Sequence, residues 1–185
     1  MRNRGTFGGS IALADPAAEL PACALALGAT VVVENALSRR AIAAVDYFRG
    51  LYETARAPDE LLVEVQIPVQ SPRWVSVFME LARRHGDFAI AGVAFHLSIA
   101  GGTVSDGRLV YFASEEKPTL AHDALAALRG KRLDETSSEA AAAALARDLK
   151  PISNPHGSAK LRLHLQRVLT HRALGVAAQR AGLAS

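Results

Sequence analysis

Between Trp74 and Phe112 three β-patterned segments follow one another, and this run constrains the fold more than any other feature. "WVSVFMELA" and "AGVAFHLSIA" are strand-like, the second with Val93, Phe95, Leu97 and Ile99 on one face. "IAGGTVSDGRLVYF" then supplies Gly101-Gly102 and Asp106-Gly107 as turn or bulge signals ahead of Leu109–Phe112. The pattern predicts an antiparallel hairpin or three-stranded meander.

Beyond Phe112 the alphabet turns helical. Pro118 to Leu128 reads as a helix closed by Gly130, and Thr136 with Glu139 reads as a capping box before the alanine run at 140–144. A third helix is expected over roughly Ala159–Gln179, with Leu161, Leu165, Val168, Leu169 and Val176 as its apolar stripe. The second half is therefore expected to be a small sheet backed by three helices. Ahead of it, "ELPACALALG" reads as a short helix stopped by Gly28, followed by the β-branched strand "ATVVV". Tyr47 and Phe48 precede Gly50, and "LLVEVQIP", Leu61–Pro68, reads as a half-buried strand ended by its proline. "PVQSPRW", with Pro68 and Pro72, is the clearest boundary and divides the chain into units at 1–69 and 70–185. The fold class is α+β.

The 185 residues are half hydrophobic, enough for a sizeable core, and a formal net charge of +3 gives no global field that would select nucleic acid or an anionic membrane. The charge is uneven along the chain. No Asp or Glu follows Asp148, whereas Lys150, Lys160, Arg162, Arg167, Arg172 and Arg180 do, so the last helix is a local basic element suited to a packed helix or subunit contact. One cysteine, Cys23, rules out an internal disulfide and fits a reducing compartment, and Ala22–Val33, the longest near-apolar stretch, is too short to span a bilayer. These features predict a cytoplasmic protein with no membrane segment. The six histidines show no ligand spacing with cysteine or carboxylate, so no metal site is expected.

In "RGTFGGS", Arg4–Ser10, the glycines permit close backbone approach and positive φ, and Thr6 and Ser10 can add hydroxyl donors. The stretch reads either as a phosphate cradle or as an ordinary glycine turn. It has no lysine after its last glycine and does not open a helix after a strand, so it is neither a Walker A loop nor a dinucleotide fingerprint. Asp15 and Glu19, four apart, could share one face and accept hydrogen bonds from sugar hydroxyls; alternatively, Asp15 before Pro16 is a helix N-cap. Arg83-Arg84-His85 reads either as a cationic group beside an anionic ligand or as a solvated loop paired with Asp87.

At this point the chain resembles the FAD-binding medium subunit of the molybdenum hydroxylases, the group containing carbon monoxide dehydrogenase and xanthine dehydrogenase. Four ordered segments carry the resemblance: "MRNRGTFGGSIALADPAAELP"; "VDYFRGLYETARAPDELLVEVQIP" from Val45; "FMELARRHGDFAIAGVAF" from Phe78; and "NPHGSAKLRLHLQRVLTHRAL" from Asn154. It implies the C-terminal part of a vanillyl-alcohol-oxidase-type FAD-binding domain, followed by an antiparallel sheet with a three-helix bundle. Carried over by position, Thr6, Phe7, Gly8, Gly9 and Ser10 would hold the FAD pyrophosphate. Glu19, with Asp15 nearby, would bind sugar or ribityl hydroxyls, Leu62 would pack on the cofactor, and Asp87 and Phe88 would lie near the isoalloxazine. Many members carry Tyr where this chain has Phe88, so that hydroxyl is lost here.

The resemblance also implies a role in electron relay, from an iron-sulfur subunit through FAD to an external acceptor, beside a subunit holding the molybdenum cofactor. No side chain need act as nucleophile or general base. Family members carry a further stretch ahead of this one with a second glycine loop, which a separate chain could supply. Without it, strands in 1–69 are expected to show exposed edges and a small core. The alternative to a flavoprotein is a subunit-interaction module that binds no flavin.

Overall fold

The computed structural model describes residues 5–84 and 86–183, so Arg4 and His85 of the two motifs above lie outside the described residues. The first half runs α1 (Phe7–Leu13), α2 (Glu19–Ala26), β1 (Thr30–Glu34), β2 (Arg39–Ala43), α3 (Ala44–Tyr47), β3 (Phe48–Gly50), β4 (Glu53–Thr54) and β5 (Leu61–Gln66). β1 is the centre of an antiparallel sheet of order β2–β1–β5, and its β-branched Val31 and Val33 are fully buried. Arg39 straps the sheet, reaching Glu34 at 3.5 Å and Glu64 at 2.6 Å. Glu60 is buried and accepts from Arg40 Nε and Nη2 at 2.6 and 2.7 Å and from the Ala57 N–H at 2.6 Å, which fastens the loop before β5. The Arg40 guanidinium beside it, then the Ala57 amide, holds the Glu60 carboxyl down at about 2.

The second half runs β6 (Trp74–Ala82), β7 (Ala89–Ala100), β8 (Thr103–Phe112), β9 (Thr119–Leu120), α4 (His122–Leu128), α5 (Glu135–Asp148) and α6 (Ala159–Arg180). The strands form one antiparallel sheet in sequence order, with the β7–β8 turn at Gly101-Gly102, both at positive φ (+57° and +76°). Asp106-Gly107 lies inside β8, where Gly107 faces Leu97; a Cβ there would come within 2.6 Å of Leu97 Cδ2. The irregularity read from that dipeptide is a register shift between Ser98 and Ile99.

One face of this sheet carries Val93, Phe95, Leu97, Leu109 and Tyr111 into a core completed by α4, α5 and α6. The other face gives Ala94, Val110 and Phe112 to a second core shared with Ile11, Ala22, Val31, Val33 and Tyr47 of the first half. Among the described residues, every buried member of the helix-covered core lies at or beyond Val77, so that core draws no buried residue from the first half.

Three helix features differ from the sequence reading. α4 begins at His122 rather than Pro118, because Thr119–Leu120 pair with β8 as the fourth strand, β9. α5 is capped by Asp134, which accepts from the Ser137 N–H at 2.9 Å while the Ser137 hydroxyl accepts from the Asp134 N–H at 3.1 Å; the box begins two residues before Thr136. α6 leaves Leu161 exposed and buries Arg162, Gln166, Leu169, Thr170, Ala173 and Ala177. The polar members of that stripe face strand-end groups that need partners: Gln166 Nε2 donates to the Phe112 carbonyl at 3.0 Å, and Thr170 bonds the Tyr111 hydroxyl at 2.8 Å.

Candidate cofactor site

The glycine stretch is the start of a helix. Thr6, extended at φ −117°, is the N-cap of α1, and its hydroxyl accepts from the Gly9 N–H at 3.0 Å. The positive φ read for these glycines is absent; Gly8 and Gly9 are helical, and Gly9 is required for space, since a Cβ would sit 2.7 Å from Thr6 Oγ1. A Cβ on Gly8 would sit 3.6 Å from Leu62 Cδ2, so β5 backs the glycine turn with an apolar side chain. Among the described residues, the N–H groups of Phe7 and Gly8 have no intrahelical acceptor.

At the other end of α1, Ala14 adopts a left-handed conformation and turns the chain into Asp15. Asp15 Oδ1 accepts from the Ala17 N–H at 2.8 Å, and Oδ2 accepts from the Tyr52 hydroxyl at 3.3 Å. Asp15 therefore caps the Pro16 turn, while the N-cap of α2 is Ala18. It also lines a cleft of about 790 Å³ between the two halves, together with Tyr52, Asp87, Phe88, Glu115 and Arg162. Phe88 is 69% exposed, an apolar ring presented to the cleft rather than to the core.

Glu19 is not among the cleft residues. It begins α2 and lies near Glu80 of β6, whose carboxyl is raised first by burial and then by the Glu19 charge. The helical turn that would have set Asp15 and Glu19 on one face is broken at Ala14–Ala18. Asp15, Asp87 and Phe88 are thus brought together, Thr6–Ser10 and Leu62 form a second group at the start of α1, and Glu19 stands apart. Arg83 and Arg84 are exposed; Arg83 reaches the Pro155 carbonyl at 3.5 Å, and among the described residues neither pairs with Asp87. Sequence reasoning missed Tyr52 and Arg162, of which only Arg162 left a signal, the polar period 162–166–170 on a helix otherwise scanned for leucines.

Residues 76–177 match the CO dehydrogenase flavoprotein C-terminal domain, and residues 1–70 match the FAD-binding domain of molybdopterin dehydrogenases. The chain belongs to the flavoprotein medium-subunit family of the molybdenum hydroxylases. Among these flavoproteins it is 41% identical to the nicotine 6-hydroxylase medium subunit of Paenarthrobacter nicotinovorans, over 94% of this chain and 61% of that one. It is 33% identical to the carbon monoxide dehydrogenase medium chain of Afipia carboxidovorans, over 98% of this chain and 63% of the relative. Its fold superposes on the carbon monoxide dehydrogenase of Hydrogenophaga pseudoflava with a TM-score of 0.92 at 34% identity, covering 97% of this chain and 62% of that one. The chain thus spans a little over three-fifths of the length of these flavoprotein subunits.

The family's cofactor is FAD. The start of α1 fits that group chemically: among the described residues, two N–H groups without an intrahelical acceptor, with the Thr6 hydroxyl and two glycines beside them, suit a phosphate. Among the described residues, no helix is long and apolar enough to cross a membrane.

Proposed function

We propose that this chain is the FAD-holding part of a redox-relay subunit. In that role it serves a molybdenum hydroxylase whose iron-sulfur subunit delivers electrons and whose molybdenum subunit carries out substrate oxidation. FAD, when bound, supplies the exchange of an electron pair with an external acceptor. The side chains of this protein supply position. Within the stretch Thr6, Phe7, Gly8, Gly9 and Ser10, the backbone N–H groups of Phe7 and Gly8 hold the pyrophosphate, the hydroxyls of Thr6 and Ser10 add donors, and Gly9 keeps the turn free of bulk, with Leu62 packed behind it. Asp15, with both carboxylate oxygens already oriented by Ala17 and Tyr52, accepts from sugar or ribityl hydroxyls, while Glu19, outside the cleft at the start of α2, does not share that role. Asp87 and Phe88 line the ring end of the cleft, and residues 1–69 and 70–185 act as cofactor unit and closing unit. A reducing, cytoplasmic setting agrees with the single half-buried Cys23.

The observation that carries this reading is that two separate groups of implied residues occupy the helix start at Thr6 and one cleft at Asp15 and Asp87, with α1 joining them. Equilibrium titration of the full chain with FAD, followed by flavin fluorescence and absorbance, tests it. Binding that weakens at least about tenfold in Gly9→Val supports the reading, a tenfold loss being about 1.4 kcal/mol. A chain that folds and binds no FAD overturns it in favour of a subunit-interaction module without flavin.

A further inference from the structure

Arg162, near the start of α6, is 4% exposed and yet lines the cleft. Its guanidinium donates to the Ile90 carbonyl at 3.2 Å, to the Ala113 carbonyl, and to Asn154 Oδ1 at 2.7 Å. These acceptors sit on different walls. Ile90 follows Asp87-Phe88 by two residues; Ala113 leaves β8 and donates its own N–H to the Pro16 carbonyl at 2.8 Å; Asn154 belongs to the loop that enters α6. One buried side chain therefore ties together the segments that enclose the cleft.

None of its partners is charged. Among the described residues Arg162 makes no ion pair, its Nε has no acceptor, and burial alone pushes the guanidinium below the usual arginine range. The carboxylates around the cleft are engaged elsewhere or solvated: Asp15 accepts from Ala17 and Tyr52, Glu115 from the Thr119 hydroxyl and the Lys150 N–H, and Asp87 and Glu116 are exposed. Arginine keeps its proton in any protein setting, so the site holds a permanent buried cation whose desolvation no internal anion offsets. Carbonyl tethering alone does not need the charge. Gln166, one turn on, performs the same task on the Phe112 carbonyl and Ser114 Oγ as a neutral amide.

We propose that the charge of Arg162 acts on the ring bound in the cleft, favouring the anionic reduced flavin over the neutral oxidised one. The inference rests on the reading that this cleft takes the ring end of FAD. Two electrons and one proton, the electrons arriving from the iron-sulfur partner, convert the neutral ring to the reduced anion. A cation that binds the anion more tightly than the neutral ring raises the two-electron potential, by about 30 mV for each tenfold in relative affinity. Arg162 is in this sense a positioning and charge-supplying residue with no proton to transfer.

The test compares Arg162→Gln, which keeps donors and removes charge, with Arg162→Lys, which keeps charge and removes the fork. The FAD dissociation constant and the midpoint potential by dye equilibration are measured on the full chain, with a thermal melt as folding control. Arg162→Gln is expected to shift the ratio of reduced to oxidised affinity by about tenfold, a fall of about 30 mV, while Arg162→Lys stays near the wild-type potential. An unchanged potential in Arg162→Gln, or an equal fall in both variants, overturns the proposal. If Arg162→Gln does not fold, the wild-type chain decides: reduced FAD must bind more tightly than oxidised FAD, and the reverse order overturns it. A wild-type chain that binds no FAD removes the reading of the cleft itself, whereas normal binding with an unmoved potential removes only the role of Arg162.

Discussion

The inner strands β7 and β8 of the sheet β6–β9 are covered on both faces, by α4, α5 and α6 on one side and by α2 and its neighbours on the other, whereas the sheet β2–β1–β5 leaves an apolar edge in solvent. Leu61, Val63 and Ile67, on and just beyond that edge, are 71%, 47% and 45% exposed. The dependence between the halves runs one way. The first-half core needs Ala94, Val110 and Phe112 from the back of the second sheet, while the helix-covered core takes no buried residue in return. A half whose core is borrowed is stable only while its support is folded.

Cavities in the two cores should therefore have different reach. Leu145→Ala, in the helix-covered core, is expected to lower stability by about 2–5 kcal/mol and to carry both halves into one unfolding transition, followed by circular dichroism in urea. Ile11→Ala, of similar intrinsic cost, should accelerate amide exchange in β1, β2 and β5 and leave β7 and β8 as in the wild type. Equal acceleration in both sheets would falsify the one-way dependence.

Acid should reach the second sheet before the first. His96 is buried in β7, stacked on Trp74 at 4.4 Å; its Nε2 donates to Gln70 Oε1 at 2.5 Å and its Nδ1 accepts from the Ser76 hydroxyl at 2.8 Å. Burial, and then the Arg108 charge, lowers its pKa from 6.5. The unfolded chain therefore binds the proton first, so stability is intact above 6.5 and falls as pH drops below it toward the folded value. His96→Gln should flatten that loss, measured as the urea midpoint at pH values on either side of 6.5. Glu60 acts in a lower window on the first sheet. Its carboxyl, held at about 2 against an ordinary 4.5, contributes stability that is present above 4.5 and lost as pH falls toward 2, and Glu60→Gln should remove that dependence. A wild-type acid limb with no slope between 6.5 and 4.5 would separate His96 from the stability of its sheet.

The smallest effect concerns the start of α5. Asp134→Ala is expected to cost about 1 kcal/mol, and Thr136→Ala close to nothing, by the same urea midpoints. A larger loss at Thr136 would return the cap to the position the sequence suggested.

Much of the architecture was legible because it rests on local rules. Alternation marked β7 through Val93, Phe95 and Leu97, Gly101-Gly102 marked its turn, and the leucine-rich segment from Ala159 marked α6. The face of α6 was not legible. Hydrophobic pattern selects Leu161, but the helix crosses strand ends whose carbonyls need donors, and Arg162 and Gln166 turn inward to meet them, while Thr170 turns inward to the Tyr111 hydroxyl. The site divided in the same way. Thr6, Gly8, Gly9 and Leu62 were readable from the motif, yet the glycines suggest a turn, because glycine is a poor helix former and only the local Thr6 cap, three residues before Gly9, turns the stretch into a helix.

By itself, then, the sequence determined the elements, the α+β class and the family, since periodicity, turn glycines and ordered motifs are properties of neighbours along the chain. Only the tertiary structure decided which core supports which, that Asp15 and Glu19 part company, and that a buried arginine holds the cleft. Those outcomes depend on backbone groups brought together from distant segments, and the need of a stranded carbonyl for a donor is written nowhere near the residue that meets it.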